Sequence, residues 1–232
     1  MMTLGYKRVT IFAGHYGSGK TNAAVNWALA LSREGKKTAI ADLDIVNPYF
    51  RTKDSEAVLS ANGVRLISSP FANTNVDAPA LPAEAYSVTD DKSVHAVLDV
   101  GGDDRGATAL GRYRDAILAE NDYEMLFVIN RYRPLTPDAQ STVEVMREVE
   151  AAGAIPFTAI VNCSNLGTQT TCEDITASVD YAHRVSELTG LPIKMTVVRH
   201  DLAAQVTQKI NNVFPIRIYV SQSWNRDEGK EI

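Results

Sequence analysis

The sequence predicts an α/β fold in which a single doubly wound, mostly parallel sheet carries helices on both faces. Two observations predict it. Short, β-branched apolar runs alternate with longer helical patterns along the 232 residues, and the apolar runs are nearly continuous. Continuous apolar strands are typical of a parallel sheet that is covered on both sides, since both faces of each strand are then buried. No repeat or convincing linker divides the chain, so we interpret residues 1–232 as one domain with a polar tail at about 221–232.

The predicted strands are short runs rich in Val, Ile, Leu and Phe, each bounded by polar or turn-forming residues. In chain order they are Arg8–Ala13, Thr38–Asp42, Val64–Ser68, Ala96–Val100, Met125–Asn130, Phe157–Asn162 and Ile193–Val198. Helical patterns separate consecutive runs, and this alternation predicts the parallel arrangement.

The predicted helices carry apolar residues at helical spacing. They are Lys20–Glu34, Asp54–Asn62, Ala107–Glu120, Pro137–Ala152, Glu173–Thr189 and Asp201–Ile210. Gly35 and Gly190 stand where helix ends are expected. Thr136 followed by Pro137 predicts an N-cap and a first-turn proline. The segment Phe71–Asp91 is less regular, and is either an excursion across the edge of the sheet or a long surface connection.

Composition limits the class of protein. Hydrophobic residues make up 45% and charged residues 22%, which is ordinary for a soluble globular protein. The net charge of −5, with both signs interspersed, argues against a broad nucleic-acid surface. Only Cys163 and Cys172 occur, so we expect a reducing cytoplasm rather than a disulfide framework. No run has the length of a membrane span, and no signal-peptide core is present, so we expect a cytoplasmic protein without a direct membrane anchor.

The most specific feature is a glycine-rich run that matches the pattern G-x-x-x-x-G-K-[ST]: Gly14, His15, Tyr16, Gly17, Ser18, Gly19, Lys20 and Thr21. An apolar run precedes it, and a helical pattern that includes Asn22 follows it. This strand–loop–helix context is what a phosphate-binding loop requires, whereas a glycine-rich turn that binds nothing needs no lysine followed by threonine. We therefore predict that Gly14–Thr21 and Asn22 bind a nucleotide.

The chemistry of this loop follows from its backbone. Glycines let successive N–H groups turn inward and form a nest for phosphate oxygens at the positive end of a helix. Lys20 is expected to reach the β and γ phosphates as a catalytic residue, and the hydroxyl of Thr21 to hold Mg²⁺. The expected cofactors are ATP or ADP with Mg²⁺.

Carboxylates follow two of the predicted strands, and ligands of an open parallel sheet collect at these strand ends. Asp99 is expected to orient the Mg²⁺, and the N–H of Gly102 to sense the γ-phosphate. Asp42 and Asp44 alternate along an extended chain and so point the same way, towards the metal. Asp44 is our candidate for positioning or activating the attacking water. The alternatives are that Asp99 only caps the next helix and that Asp42 and Asp44 belong to a solvated loop.

This order of motifs resembles the MinD/ParA-like branch of P-loop ATPases, the CobQ/CobB/MinD/ParA nucleotide-binding family. That family also includes dethiobiotin synthetase, cobyrinic-acid amidating enzymes and the nitrogenase iron protein. The matching pieces are Gly14–Thr21, Asp42–Asp44 and Asp99–Gly102, within a resemblance that runs from about Arg8 to Ile210. The resemblance implies a P-loop NTPase fold, and it implies that Asn162, after the sixth strand, touches adenine.

One signature of the family is missing. Many members carry, just after the first glycine of the loop, a lysine that reaches into the site of a partner subunit, and here His15 and Tyr16 stand in that place. Arg51, Lys53 and Arg105 are candidates by chain position for a substitute cation, and a solvated surface charge is the alternative for each. His15 itself either binds phosphate or has no task.

Two further segments bear on specificity. GTP-binding members of this class typically use Asn-Lys-x-Asp, and the corresponding Asn162–Asn165 lacks both the lysine and the aspartate, which favours adenine. Pro48–Phe50, just after the aspartate pair, either contacts a partner as a switch segment or packs under the loop. The two cysteines fit no standard metal spacing and are interpreted as free thiols.

Three functions are compatible with these patterns. The first is a slow ATPase that acts as a nucleotide-dependent switch, with a homodimer or an unidentified protein as its partner. The second is an ATP-dependent small-molecule ligase or transferase, with Arg131 and Arg133 facing an anionic substrate. The third is a protein that binds nucleotide without hydrolysing it. We favour the switch, because no second substrate domain is evident.

Overall fold

The computed structural model describes residues 5–44, 52–68, 87–102 and 104–220, apart from the side chains of Asp104, Arg105 and Ala107. Within these residues the strands are β1 Val9–Ala13, β2 Thr38–Asp42, β3 Arg65–Ile67, β4 His95–Asp99, β5 Tyr123–Ile129, β6 Ala159–Asn162, β7 Ile193–Arg199 and β8 Val213–Ile216. They form one sheet in the order β3-β2-β4-β1-β5-β6-β7-β8, and every pair of neighbours is parallel. The predicted P-loop NTPase fold is thereby confirmed.

The helices lie on both faces of this sheet. They are α1 Lys20–Arg33, α2 Glu56–Ala61, α3 Ser87–Asp90, α4 Asp104–Gly111, α5 Arg114–Glu120, α6 Ala139–Gly153, α7 Cys172–Ala177, α8 Val179–Thr189 and α9 His200–Val206, with 3-10 helices at Thr52–Ser55 and Gly167–Gln169. In the described part of the chain, none of them has both the length and the apolar composition to span a bilayer.

The two faces explain the continuous apolar strands. On β1, Ile11 and Ala13 pack in one core with residues of α5, α6 and α8, whereas Phe12 packs in a second core with α1 and α2. Trp27 of α1 is fully buried in this second core and contacts Phe12 and Phe214 edge to face. Each strand therefore buries side chains on both sides, as the sequence predicts.

The strand order places the ends of several strands around one crevice. β1 lies between β4 and β5, so the chain runs outward in opposite directions from this point, which is where ligands of doubly wound sheets bind. We call the edge at which the parallel strands end the carboxyl edge, and the opposite one the amino edge. The loops after β1, β2, β4, β5 and β6 meet at the carboxyl edge.

The first seven strands begin and end within two residues of their predicted bounds, but β8 is not predicted. It is short, contains Pro215 and lies at the edge of the sheet, where a proline is tolerated because one side of the strand needs no partner. The predicted helices Ala107–Glu120 and Glu173–Thr189 are each two helices. The second of these divides at Ser178, whose buried hydroxyl donates to the carbonyl oxygen of Ile175 at 2.7 Å.

The predicted N-cap at Thr136 is wrong. Asp138 caps α6, and its carboxylate accepts a hydrogen bond from Ser141 N at 2.9 Å. The hydroxyl of Thr136 is buried and donates to the carbonyl oxygen of Asn130 at 2.7 Å, which closes the loop after β5. Pro48–Phe50, the polar tail 221–232 and most of Phe71–Asp91 lie outside the described residues; the last part of Phe71–Asp91 contains α3.

Candidate functional site

The glycine loop, residues 14–19, connects β1 to α1 at the carboxyl edge. Gly19 is the N-cap of α1 with a φ of 98°, in the left-handed region that favours glycine. A Cβ on Gly14 would lie 2.4 Å from the carbonyl oxygen of Val128, and one on Gly19 would lie 2.5 Å from Sγ of Cys163. The loop thus lies directly against β5 and the residue after β6, and both positions require glycine.

A cleft of about 570 Å³ opens beside this loop. The glycine-loop half of the cleft is lined by Tyr16, Gly17, Gly19, Lys20, Thr21 and Asp44. The β8 half is lined by residues 163–170 and by Val197, Arg199, Ile216, Ile218 and Val220. The first half offers backbone N–H groups and positive charge, and the second offers aliphatic surface with polar groups among it, which is the usual composition of a small-molecule site.

The side chain of Lys20 closes over the glycine loop. Lys20 Nζ donates to the carbonyl oxygen of His15 at 3.0 Å, and Ser18 N donates to the same oxygen at 3.2 Å. The hydroxyl of Ser18 is buried and has no hydrogen-bond partner among the described residues. Tyr16 is half exposed, and its carbonyl oxygen accepts a hydrogen bond from His15 Nδ1 at 2.9 Å. The lysine therefore stands over the backbone that the sequence predicts to hold phosphate.

The three predicted carboxylates come together on β2 and β4. Asp42 and Asp99 are directly opposite each other in the paired strands, and both are buried. Asp42 Oδ1 accepts a hydrogen bond from Asp44 N at 3.1 Å, so its carboxylate shapes the turn that presents Asp44. Asp44 lines the cleft, whereas Asp42 and Asp99 are not among its lining residues. Thr52, in the 3-10 helix that follows, donates its hydroxyl proton to Asp99 Oδ2 at 2.9 Å.

The environment of Asp99 opposes its ionisation. Burial raises the pKa of Asp99 to about 6, and the negative charge of Asp44 acts in the same direction. The ammonium group of Lys20 and the hydroxyls of Thr21 and Thr52 act against this increase. All four side chains are therefore close enough to Asp99 to affect its charge.

These residues fit a Mg²⁺ ion. Asp99 Oδ1 is buried without a hydrogen-bond donor among the described residues, and such an oxygen needs a donor or a cation. Asp99 and the hydroxyl of Thr21 offer the oxygen ligands that Mg²⁺ prefers. In the described ranges no group of three or more His, Cys, Asp or Glu side chains could hold a metal by itself. Phosphate oxygens and water would therefore supply most of the ligands, as is usual for Mg²⁺.

The segment after β4 lies directly on the glycine loop. A Cβ on Gly102 would be 2.5 Å from the backbone nitrogen of Tyr16 and 2.7 Å from its Cα. A Cβ on Gly101 would be 3.1 Å from Asp44 Oδ1, and one on Gly106 would be 2.4 Å from Gly101 Cα. The structure thus brings the predicted Gly102 to the glycine loop, and the segment after β4 lies against both this loop and Asp44.

The structure does not bring Asn162 into the cleft. Its side chain is buried, and its amide donates to Ser178 Oγ at 2.8 Å and accepts from Ser164 N at 3.2 Å. Both polar atoms of this amide are therefore used within the protein. Asn165, three residues further on, lines the β8 half of the cleft, donates to the carbonyl oxygen of Cys163 at 2.7 Å and accepts from Gly167 N at 3.1 Å.

Asn22 connects the two halves of the cleft. Its Oδ1 accepts hydrogen bonds from Tyr219 N at 2.9 Å and Val220 N at 3.1 Å, and its Nδ2 donates to the carbonyl oxygen of Val220 at 2.9 Å. One turn along α1, Asn26 bonds both the N–H and the carbonyl oxygen of Arg217. Asn22 lines the cleft, and its side chain holds the wall of the β8 half to α1.

The structure describes the side chain of one of the three cations that are candidates to replace the missing lysine. Lys53 lies in the 3-10 helix Thr52–Ser55 and does not line the cleft, while Arg51 and the side chain of Arg105 are outside the described residues. Arg133 lines the cleft instead, and its Nε donates to the carbonyl oxygen of Gly17 at 2.8 Å. The sequence interpretation misses this contact because it connects residues far apart in the chain.

Solved structures show a similar fold. The cell division protein FtsY from Thermotoga maritima matches with a TM-score of 0.54 and 22% identity, over 82% of this chain and 61% of that one. Chloroplast FtsY from Physcomitrella patens gives 0.57 and 20%, over 84% and 60% of the two chains. The signal recognition particle 54 kDa protein from Aeropyrum pernix, in complex with GDP, gives 0.51 and 16%, over 84% and 42%. Identities this low show the fold alone, and this chain spans about three fifths of the length of the two FtsY chains.

The sequence also matches a family model, described as the CobQ/CobB/MinD/ParA nucleotide binding domain, over residues 9–168. No curated protein matches the chain. The matched range contains the glycine loop, the aspartates of β2 and the segment Asp99–Gly102, which the structure places around one cleft. This chain belongs to the CobQ/CobB/MinD/ParA family of nucleotide-binding domains.

Proposed function

We propose that the protein binds ATP with Mg²⁺, hydrolyses it slowly and acts as a nucleotide-dependent switch. The observation that carries this proposal is that the segment after β4 lies against both the glycine loop and Asp44. The backbone at Gly102 touches Tyr16 of the glycine loop, and Gly101 lies beside Asp44. A γ-phosphate bound at the glycine loop would therefore meet the segments after β2 and β4 together, and its loss would release both.

Each residue has a distinct role in this proposal. Lys20 would contact the β and γ phosphates, and Thr21 with Asp99 would hold the Mg²⁺, which neutralises charge on the phosphates. Asp44 would orient the attacking water, since it faces the cleft and Asp42 fixes its backbone. The N–H of Gly102 would contact the γ-phosphate.

Adenine is the proposed base, although one structural neighbour contains GDP. Guanine presents N–H donors that a carboxylate accepts well. Among the described residues that line the cleft, the single carboxylate is Asp44, in the glycine-loop half. Asn165 already accepts the Gly167 N–H in the β8 half. The described residues of this half therefore offer aliphatic contact and no carboxylate acceptor, which suits adenine better.

The alternative of a small-molecule ligase or transferase has less support. Arg131, one of the two arginines assigned to an anionic substrate, donates through Nη1 to the carbonyl oxygen of Ala177 at 2.7 Å. Its guanidinium also lies 5.7 Å and 6.0 Å from the ring centroids of Tyr132 and Tyr181. These contacts give Arg131 a structural task at the end of α7. A cytoplasmic location, and a homodimer or another protein as partner of the switch, remain part of the proposal.

The test compares Asp44→Asn with wild type in Mg²⁺-dependent phosphate release, and measures binding of ATP, ADP, GTP and GDP by calorimetry. We expect Asp44→Asn to bind ATP within about 3-fold of wild type and to hydrolyse it about 100-fold more slowly, because only water positioning is lost. Asp115→Asn, an exposed change on α5, is the matched control and retains wild-type rates.

Two outcomes contradict the proposal. Tighter binding of GTP than of ATP overturns the choice of base, and unchanged hydrolysis by Asp44→Asn overturns the role of Asp44. Light scattering of the same proteins with Mg²⁺-ATP and then Mg²⁺-ADP examines the partner. A dimer that forms with ATP alone supports the switch, whereas ADP release that depends on an added metabolite supports the ligase.

A further inference from the structure

Arg133 reaches the glycine loop from a different part of the chain. It lies in the loop between β5 and α6, and its Nε donates to the carbonyl oxygen of Gly17 at 2.8 Å. A Cβ on Gly17 would lie 3.3 Å from the same Nε, so the guanidinium lies close against the crest of the loop. Arg133 also lines the cleft beside Lys20. It is thus a second cation at the place where phosphate is expected.

The loop that carries Arg133 is braced from several sides. The fully buried Asn130 accepts hydrogen bonds through Oδ1 from Tyr132 N at 3.0 Å and Asn165 N at 3.2 Å, and its Nδ2 donates to the carbonyl oxygen of Asn165 at 3.2 Å. Thr136 closes the loop through the carbonyl oxygen of Asn130, and Thr136 N donates to the carbonyl oxygen of Arg133 at 3.1 Å. The backbone of Arg133 is therefore held in place without a ligand.

The guanidinium keeps donors available. Arginine carries five N–H donors in a planar fork. In the described part of the chain, Arg133 makes one side-chain hydrogen bond, from Nε to the carbonyl oxygen of Gly17, and the side chain is partly exposed in the cleft. A bidentate pair with phosphate oxygens requires the remaining edge of the fork, which this arrangement leaves for a ligand.

The charge of Arg133 acts on a side chain that lies against the glycine loop. Burial raises the pKa of the Cys163 thiol to about 12, and the positive charges of Arg133 and Lys20 both act against this increase. The sulfur of Cys163 is in contact distance of Gly19, so the two cations lie near the same point of the loop. A phosphate group placed there would be approached by both of them.

We propose that Arg133 binds the phosphate chain of the nucleotide from within the same polypeptide, through Nη1 and Nη2, while Nε stays on Gly17. The ligand class is a nucleoside di- or triphosphate, so the inference rests on the proposed function. It supplies a cation at the glycine loop although His15 occupies the position of the family's signature lysine. Lys20 and Arg133 of one chain then both contact the phosphates before any partner binds.

The test measures the affinities of AMP, ADP and ATP for wild type, Arg133→Ala, Arg133→Gln and Arg133→Lys in the presence of Mg²⁺. We expect Arg133→Ala and Arg133→Gln to weaken ADP and ATP about 10- to 100-fold and AMP less than about 3-fold, since a charge-assisted pair with the distal phosphates is lost. Arg133→Lys keeps the charge without the fork, so it loses about 3- to 10-fold. Arg131→Ala, which alters the same loop away from the cleft, is the control and keeps wild-type affinities.

A purely structural role gives a different pattern. If Arg133 only holds the carbonyl oxygen of Gly17, then Arg133→Gln, which keeps an N–H donor, binds ADP and ATP as tightly as wild type. Alternatively, the affinities for AMP, ADP and ATP all fall by the same factor in Arg133→Ala. Either result overturns the inference. Wild-type affinity of Arg133→Ala for ADP and ATP overturns it as well, and leaves the proposed function intact. Failure of the wild-type protein to bind any nucleotide instead removes the proposed function, and this inference with it. Added guanidinium at low millimolar concentration, compared with the same NaCl, is expected to restore ADP binding to Arg133→Ala.

Discussion

At the amino edge of the sheet the buried charged groups are paired, whereas at the carboxyl edge buried polar atoms lack partners. Arg8, at the start of β1, is buried and donates to the carbonyl oxygens of Val88 and Val94 at 3.0 Å each. Its guanidinium forms a bidentate pair with the carboxylate of Glu120, which also accepts from Lys92. Nε, Nη1 and Nη2 of Arg8 thus each donate to an oxygen.

A second network at the amino edge is equally complete. The carboxylate of Glu124 pairs with Lys194 and accepts a hydrogen bond from the hydroxyl of Thr10 at 3.4 Å. Thr10 in turn accepts from Trp27 Nε1 at 3.2 Å, and Lys194 Nζ lies 5.1 Å from the centroid of the Trp27 ring. Burial raises the pKa of Glu124 and Lys194 opposes the increase, so the ion pair offsets part of the desolvation.

The carboxyl edge differs in this respect. The buried side-chain atoms without a hydrogen-bond partner in the described ranges are the hydroxyls of Ser18 and Ser55 and Oδ1 of Asp99. Ser18 lies in the glycine loop, and Ser55 is in the 3-10 helix whose Thr52 contacts Asp99. Unpartnered buried atoms reduce stability, so their collection at one edge indicates a site completed by a ligand. The paired groups at the amino edge stabilise the fold, whereas the unpartnered atoms at the carboxyl edge reduce its stability and are available to a ligand.

The largest expected effect breaks the amino edge. Arg8→Met removes the donor of two buried carbonyl oxygens and leaves the partly buried carboxylate of Glu120 with Lys92 alone of its two described cations. We expect a loss of about 3–5 kcal/mol in the free energy of unfolding, measured with urea. Nucleotide affinity stays within about 2-fold, because the change lies at the far edge. The Arg8 hydrogen bond lowers the pKa of Glu120, so this contribution is present above the ordinary value of 4.5 and is lost as pH falls through the lowered value. Arg184→Met, in an exposed pair with Glu187, is the control and costs less than about 0.5 kcal/mol.

The next largest effect is on the rate of phosphate release, from a change at the carboxyl edge that alters no charged residue. Gly102→Ala places a Cβ 2.5 Å from Tyr16 N, so the segment after β4 and the glycine loop must separate. We expect phosphate release to fall about 100-fold, since displacement of catalytic groups by about 1 Å has effects of this size. Gly111→Ala, whose Cβ meets no atom within 4 Å, retains the wild-type rate. Equal rates of phosphate release for the two variants would show that hydrolysis does not depend on the contact between Gly102 and the glycine loop.

The smallest expected effect is an increase in the free energy of unfolding, opposite in sign to the loss expected at the amino edge. The pKa of Asp99 is raised from 3.8 to about 6, so the folded protein holds this proton more tightly than the unfolded chain, and stability falls as pH rises between these values. Asp99→Asn removes this penalty. Without Mg²⁺ and nucleotide, we expect it to increase the free energy of unfolding by about 2 kcal/mol at pH 7 and by nearly nothing at pH 4. Thermal unfolding at the two pH values measures it, and a destabilised Asp99→Asn protein at pH 7 would show that Asp99 is not an unsatisfied charge.

The glycine-loop half of the cleft could be predicted because its geometry is local. Gly14 to Thr21 are consecutive, and the strand before and the helix after them are fixed by patterns of a few residues. Asp44, Asp99 and Gly102 follow from the rule that strand ends of a parallel sheet meet, and the structure brings them together. Here the chain order alone determines which residues are neighbours.

The β8 half could not be predicted, because it depends on long-range packing. β8 is short, contains Pro215 and takes its place from pairing with β7 rather than from its own pattern. The side chain of Asn162 does not line the cleft, because its amide donates to the buried hydroxyl of Ser178 between α7 and α8. Arg133 contacts a residue 116 positions away. No periodicity records such contacts.

The bonds of Asn22 and Asn26 have a consequence for ligand length. The same helix, α1, begins at the glycine loop and holds the chain from Arg217 to Val220 against its first two turns. The two halves of the cleft are therefore both attached to α1. We expect their separation to stay constant when the surrounding loops rearrange. This fixed distance selects ligands by length. A short ligand occupies one half of the cleft at a time, and a ligand of matching length occupies both.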